Sequence, residues 1–515
     1  MTMGTFHGLE VSKRALFAQQ RALYTTGHNI SNVNTEGYSR QRANFVSSTP
    51  YPPQSFFKPK IPGQMGTGAD IGTVQRVRDQ FLDFQYRIEN SRSSYWAKRS
   101  EALSRMENLL NEPTDNGISV TTDRFWQSLQ DLVDDPENTG ARSVVAQRAL
   151  ALTETYNHMS RSMQSIQMDL KDQIDVSVDN INSLLRQIHS INEQVVKMEP
   201  HQLLPNDMYD ERDRLIDELS KYVNIKVHYT ASSNGSTDMA DGLVNIELLD
   251  STGHSFGNGA YLIDVRGAGS LKDAVNELSV EPGIGDYTAV TSIKVAGNHG
   301  LEDLDLLDSL GSLSALIESY GYVNRNGEVV GEYPEMLSNL DLMVTQFATA
   351  FNEQHAKGID GEGGEGIESF FVFIGEGPPT AENITINPDI LKNPNHIAAS
   401  LPGEGSQNAN NALKLAELFD EPLTDLKDSS VRTFYTLLIG ELGVRGQEAG
   451  RMVENTGILK AQVNDQRRSV TAVSLDEEMT NLIKFQHAYN AAARNMTALD
   501  EMLEKIINGM GIVGR

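Results

Sequence analysis

The densest group of chemically capable side chains in this sequence is Asp210-Glu211-Arg212-Asp213-Arg214. Carboxylates beside guanidinium groups can serve general acid–base chemistry. At helical spacing the same residues form ion pairs instead, Asp210 with Arg214 and Arg214 with Glu218, each four residues apart. No histidine, serine nucleophile or glycine loop stands near them, so structural pairing is the expectation. Asp360-Gly361-Glu362-Gly363-Gly364-Glu365-Gly366 sets acids among glycines as calcium loops do. Its acids are not at EF-hand positions, and it reads as a solvated turn. Asp303, Asp305 and Asp308 alternate with Leu304, Leu306 and Leu307, the pattern of a polar face rather than a cation site. The 11 histidines show no H-x-x-x-H spacing. No phosphate loop, nucleophile elbow or dinucleotide fingerprint occurs. The expectation is a chain that is not an enzyme, with no catalytic residues, cofactor or metal site.

Composition narrows the classes further. A net charge of −27 argues against nucleic-acid binding, which needs clustered Lys and Arg, and against docking on an anionic membrane. No run approaches the ~20 apolar residues that span a bilayer, so no membrane insertion is expected. The absence of cysteine excludes disulfides and thiolate chemistry, and suits a chain that crosses an export channel unfolded. Met1 to Lys13 lacks the basic, apolar and small-residue blocks of a secretory signal.

The elements that must position any site are mainly helical. From Ser474 to about Asn508, Leu475, Leu482, Tyr489, Met496 and Leu503 recur every seventh residue, with Met479, Ala493 and Ile507 between them. A sustained seven-residue apolar repeat marks a helix that packs against another helix. Ser474-Leu475-Asp476-Glu477 fits a capping box, serine and glutamate each meeting a free backbone N–H. Leu9, Leu16, Leu23 and Ile30 repeat the spacing near the other end. The two stripes predict either a helix pair closing one fold or contacts between subunits of a polymer. Periodicity does not separate these.

Between the ends, Asn29-Ile30-Ser31-Asn32-Val33-Asn34-Thr35-Glu36-Gly37-Tyr38-Ser39-Arg40 reads as a structured turn, with Gly37 free to adopt positive φ. Asn44 to Gly72 is Pro-, Gly- and Ser-rich and reads as an extended linker. A helix is expected from Asp79 to about Asn111, burying Phe81, Phe84, Ile88, Tyr95, Ala102, Met106 and Leu109. No proline interrupts Pro136 to Pro200. A three–four apolar rhythm there predicts a helix roughly 60–80 Å long, a rod rather than a globule. Helices follow at Asp207–Val223, Tyr333–Lys357 and Ser430–Val470, while short apolar runs from Asn224 to Val330 predict a β-rich module.

Gly27-His28-Asn29-Ile30-Ser31-Asn32-Val33-Asn34-Thr35-Glu36-Gly37-Tyr38-Ser39-Arg40 resembles the signature of axial proteins of the bacterial flagellum, with Asn29, Ser31, Asn32, Asn34, Gly37 and Tyr38 as its motif positions. The stretch from Tyr209 to Leu219, the segment Leu340–Phe371, and Val473–Met479 with Phe485–Tyr489 resemble the hook-associated protein 1 family, which forms the hook–filament junction. The matches reach both ends and the middle, leaving 237–330 unmatched. The resemblance implies a fold that is mainly α and elongated, a long helical bundle or coiled-coil rod built from both termini, with an inserted β-rich domain. It implies a polymerisation domain from 1–55 with 471–515, a long-helix rod from 56–223 with 331–470, and an outer domain at 224–330. It implies export through the flagellar type III apparatus without a cleaved signal, and assembly outside the cell at the distal end of the hook. The implied partners are the hook protein, the next hook-associated junction protein, other copies in a ring or tube, and an export chaperone on the C-terminal helix. The alternatives are a hook or rod protein, a secreted effector or adhesin, or a peptidoglycan hydrolase fused to an axial domain.

Overall fold

The computed structural model describes residues 6–51, 65–110, 117–232, 237–256, 260–266, 273–282, 289–296, 309–364, 369–375, 377–403 and 408–509. The two chain ends form one antiparallel pair, α1 (His7–Ser31) along α11 (Leu475–Gly509). Gly8 faces Leu499 while Asn29 reaches Glu478, which fixes the opposed directions. Between them in sequence, β1 (Gln41–Ser47) and β2 (Ala69–Arg76) pair antiparallel and cover α1 from a second side. The stretch read as a linker therefore holds a hairpin at both its ends. That second cover explains which side of α1 is sealed. Its fully buried hydrophobics are Ala18 and Ala22, closed over by Ile71 and Phe485. Leu9, Leu16, Leu23 and Ile30 are only half-buried.

The body starts with α2 (Gln80–Leu110) and α3 (Ile118–Asp134), followed by α4 (Thr139–Met198). At 60 residues, α4 is about 90 Å long. Asn138 caps it, its side chain accepting from the N–H groups of Gly140 and Ala141. α5 (Asn206–Tyr222) follows. The expected strands appear as β3 (Ile225–Thr230), β4 (Leu243–Leu248) and β5 (Tyr261–Ile263) in one antiparallel sheet. β6 (Leu278–Pro282) and β7 (Val290–Val295) form a second sheet with β8 (Tyr322–Val323) and β9 (Val329–Val330). Between β7 and β8 the chain makes α6 (Ser312–Tyr320), which sequence patterning did not reveal. α6 is buried against α2 and α4, so the span 224–330 is not β throughout and part of it belongs to the helical body. Gly311 opens α6 at φ +139°, and a Cβ there would lie 2.2 Å from the Tyr222 carbonyl oxygen.

α7 (Glu332–His355), the strand pair β10 (Phe371–Phe373) and β11 (Ile384–Ile386), α8 (Pro388–Lys392) and α9 (Asn410–Glu417) complete the outer end. There Phe125, Phe347, Phe351, Phe370, Phe371 and Phe419 form one aromatic core, ring centroids 4.9–6.2 Å apart. α10 (Val431–Thr471), capped by Ser430, runs back along α2 to the terminal pair. The N-terminal half of α2 departs from expectation. Phe81 is 64% exposed, and the buried positions are Asp83, Arg87, Asn90 and Ser91, because this half faces the charged side of α5.

Candidate functional site

The side chains singled out for chemistry converge where the terminal pair meets the body. Asp213 is fully buried on α5. Arg76 stands 3.0 Å from it, Arg87 3.3 Å and Arg78 3.4 Å. Arg76 also pairs with Asp210 at 2.8 Å and with Asp241, and Arg78 with Asp83 at 2.6 Å. Arg87 and Arg467 both hold Asp217, at 2.8 and 2.5 Å. Of the two pairs expected within α5, Arg214–Glu218 forms and Asp210–Arg214 is replaced. Asp210 turns inward to Arg76 and the Ser39 N–H, and Arg214 pairs with Glu211 and Glu218. The cause is that β2 and α2 deliver arginines to the inner side of α5, leaving only its outer side to make solvent pairs.

The electrostatics are those of a closed network. Burial alone would raise the Asp213 carboxyl, but Arg78, Arg76, Arg87 and Arg212 outweigh it and hold it well below the ordinary range. Burial opposes the charge on Arg78, and Asp213, Asp83 and Asp217 restore it, so that guanidinium stays firmly protonated. Asp210 differs from its partner Arg76. Burial pushes its carboxyl up, and Arg76 and Ser39 only partly offset this. Arg212, fully buried, donates to Asn192 Oδ1 and the Gly242 carbonyl, with its guanidinium over the Tyr209 ring.

The Asn-rich motif links this network to both terminal helices. Asn29, at the end of α1, donates to the Gln41 carbonyl at 2.8 Å and to Glu478 Oε2 at 3.1 Å. Its Oδ1 accepts from Tyr38 Oη and from the Gln41 N–H. Ser31 and Asn32 donate back to the Gly27 and His28 carbonyls, closing the helix end. Gly37 adopts φ +83° where the turn passes Arg214. Asn34 is exposed. Burial, then Asp207, Asp210 and Glu478, push the Tyr38 phenol well up, so it stays a neutral donor. Arg40 spans to α11, meeting Glu478 at 2.8 Å and Glu477 at 2.5 Å, while its backbone N–H donates to the Thr471 carbonyl at 2.9 Å. The expected capping box is therefore half made. Ser474 accepts from the Glu477 N–H at 3.5 Å, but the Glu477 carboxylate turns to Arg40.

The remaining stripe positions lie farther along α11. Leu482, Tyr489, Met496 and Leu503 are half-buried, and Leu475 and Met479 are exposed. The Asp360 loop is a turn: Asp360 Oδ1 accepts from the N–H groups of Glu362 and Gly364. Asp303, Asp305 and Asp308 lie outside the described residues. Among the described residues no three His, Asp or Glu side chains converge as metal ligands would. What sequence reasoning missed was the set of arginines at 76, 78 and 87, contributed from far along the chain. The one available signal was the run Arg76-Val77-Arg78 just before a helix otherwise read as apolar.

Residues 9–38 match the family "Flagella basal body rod protein" and 469–509 match "Flagellar basal body rod FlgEFG protein C-terminal", the two segments that pair as α1 and α11. Paired ends of this type on a long-helix body define a flagellar axial protein. Residues 103–371 match "Flagellar hook-associated protein FlgK helical domain". The chain is 44% identical over 99% of its length to flagellar hook-associated protein 1 of Bacillus subtilis (strain 168), covering 99% of that protein. It is 24% identical over 96% of its length to the protein of that name from Escherichia coli (strain K12), covering 98% of it. The chain belongs to the flagellar hook-associated protein 1 (FlgK) family. The solved structure of the flagellar hook junction protein FlgK from Burkholderia pseudomallei shares the fold, with a TM-score of 0.58 at 13% identity over 75% of this chain and all of that one.

Proposed function

We propose that this chain is a structural, non-enzymatic subunit of the flagellum that joins hook to filament outside the cell. The observation that carries this reading is a terminal pair whose large apolar side chains are left open. Phe17, Tyr24, Leu475, Met479, Ile483 and Ile507 are each about half exposed or more, whereas the body buries a continuous core. Large apolar side chains left open along two paired helices await other copies. The terminal pair, 1–55 with 471–515, then lines the tube and makes the subunit contacts through the Leu9–Ile30 and Leu475–Leu503 stripes. The long helices of 56–223 and 331–470 form the next shell. The two sheets within 224–330 form the outer surface.

In this reading the chain leaves through the flagellar export apparatus without a cleaved signal and adds at the distal end of the hook. Its partners are the hook protein, the next hook-associated junction protein, and a chaperone that covers α11 before export. Among the described residues no helix is long and apolar enough to cross a membrane. The test is microscopy of a deletion strain together with a blot of its medium for flagellin. Bare hooks with flagellin in the medium are expected. Full-length filaments on normal hooks would remove the junction role and favour a secreted effector.

A further inference from the structure

Two helix faces of the body lack a covering element and carry opposite charge. On α4, Asp169, Asp172, Asp175 and Asp179 form one exposed row, with Met168 and Val176, 54% and 59% exposed, set among them. The ion pairs of α4 lie elsewhere, at Arg161–Glu382, Arg186–Glu277 and His189–Glu193. Lys171 stands only at the edge of the row.

The opposite charge sits on the flank of α10 that runs toward the terminal pair. Lys460 and Arg468 stand there, with Lys221 of α5 beside Lys460. Burial, then Lys221, pushes the Lys460 ammonium below its ordinary range. Among the described residues these three cations have no carboxylate partner, whereas the neighbouring Arg214 and Arg467 are fully engaged. Gly443, Gly450 and Gly457 recur every seventh residue along the same flank, with Glu454 at its edge. A Cβ at any of the three would meet nothing within 4 Å. Packing within the chain therefore does not call for glycine at these helix-interior positions, where alanine is the better helix former.

We propose that the acidic row of α4 in one copy docks on this flank of α10 and α5 in the next copy. The carboxylates meet Lys221, Lys460 and Arg468, and the bare glycine face that continues from these cations lets a second helix approach closely. Two different surfaces meet, so the contact is heterologous and propagates from copy to copy into a ring or helix. Its charges set register and partner choice more than bulk affinity. The proposal rests on the tube-subunit reading above and adds what joins the bodies outside the terminal pair.

Because the chain has no cysteine, the contact can be trapped. A chain carrying both Asp175→Cys and Lys460→Cys, expressed in a deletion strain, is oxidised with copper phenanthroline in whole flagella. A ladder of disulfide-linked copies is expected from the double variant and not from either single variant. Absence of the ladder, with the double variant present at hook tips by immunogold, would overturn the contact and leave the junction reading standing. Absence of the wild-type chain from hook tips would overturn the junction reading itself. As a second arm, Lys221→Glu with Lys460→Glu is expected to lower incorporation at least tenfold, and adding Asp172→Lys with Asp175→Lys to restore it. Unchanged incorporation of the Lys221→Glu, Lys460→Glu chain, or failure of the added Asp172→Lys and Asp175→Lys to restore it, would also refute the contact, and circular dichroism of the purified monomer identifies any variant that fails to fold.

Discussion

Replacing Asp213 by Asn tests whether the charge network at the neck holds the body together. The substitution keeps the side chain's size and removes the one charge faced by three arginines within 3.0–3.4 Å. Asp213 has no solvent to substitute for those contacts, being fully buried. Breaking a buried ion pair on one side costs about 3–5 kcal/mol, and because Arg76, Arg78 and Arg87 keep Asp210, Asp83 and Asp217 the lower end of that range is expected. That corresponds to a change on the order of 10²-fold in the unfolding equilibrium of the unit containing α2 and α5. Urea unfolding of the purified chain, followed by far-UV circular dichroism, reads it. Asp207→Asn is the control, since that carboxylate is 72% exposed on the same helix and should change stability by less than about 1 kcal/mol. Acid adds an independent signature. Asp213 is depressed in the folded chain, so its stabilisation is complete above the ordinary carboxyl range of about 4 and fades as pH falls below it. Asp210 is raised, so its ionised form opposes folding and its protonation at falling pH works in the other direction. The wild type's margin over Asp213→Asn should shrink steadily as pH falls below about 4, with part of it still present at about pH 2. A variant within about 1 kcal/mol of wild type at pH 7, or a margin that grows in acid, would refute the argument.

Three further outcomes follow from the same structure. Arg40→Ala removes the bridge to Glu477 and Glu478, and limited proteolysis should then cut the 471–474 connection several-fold faster while the body survives; an unchanged cleavage rate would count against the bridge. Gly311→Ala forces a Cβ to within 2.2 Å of the Tyr222 carbonyl oxygen, so a loss of about 3 kcal/mol or more is expected by urea titration. Leu482→Asp or Leu23→Asp should leave a soluble, folded body that fails to enter the tube, measured by immunolabelling of hook tips. Normal labelling would show that these stripes are not subunit contacts.

Much of the frame was legible because long helices leave long proline-free stretches. α4, α10 and α11 announced themselves that way, and β3, β4 and β7 by short apolar runs between turn residues. The signature at Asn29–Arg40 was legible as a turn, and its resemblance led to the family. The neck network was not legible. Helical periodicity ranks positions by apolarity, so a helix half that buries Asp83, Arg87 and Asn90 instead of Phe81 reads with the wrong face inward. Nor does a single sequence say that Arg76 and Asp213, 137 residues apart, will meet. The seam of α1 was read on its leucines, with Ala18 and Ala22 only beside them, for a related reason. Alanine carries little weight in an apolar stripe, yet Ala18 and Ala22 are the positions that the hairpin and Phe485 seal. α6 was hidden because a nine-residue helix buried on nearly every side has no polar face to betray its period.

The bond between the Arg40 N–H and the Thr471 carbonyl has a mechanical meaning. The Arg40 carbonyl also accepts from the Val77 N–H, so this residue ties the segment that leaves β2 for α2 to the one that returns from α10, the two crossings of the neck. A single covalent crossing can swivel about its own torsions. Two parallel crossings cannot turn without winding around each other, and here the Arg40–Glu478 pair braces them. Twist applied to the terminal helices is therefore handed to the body as rotation of the whole, without slack at the joint.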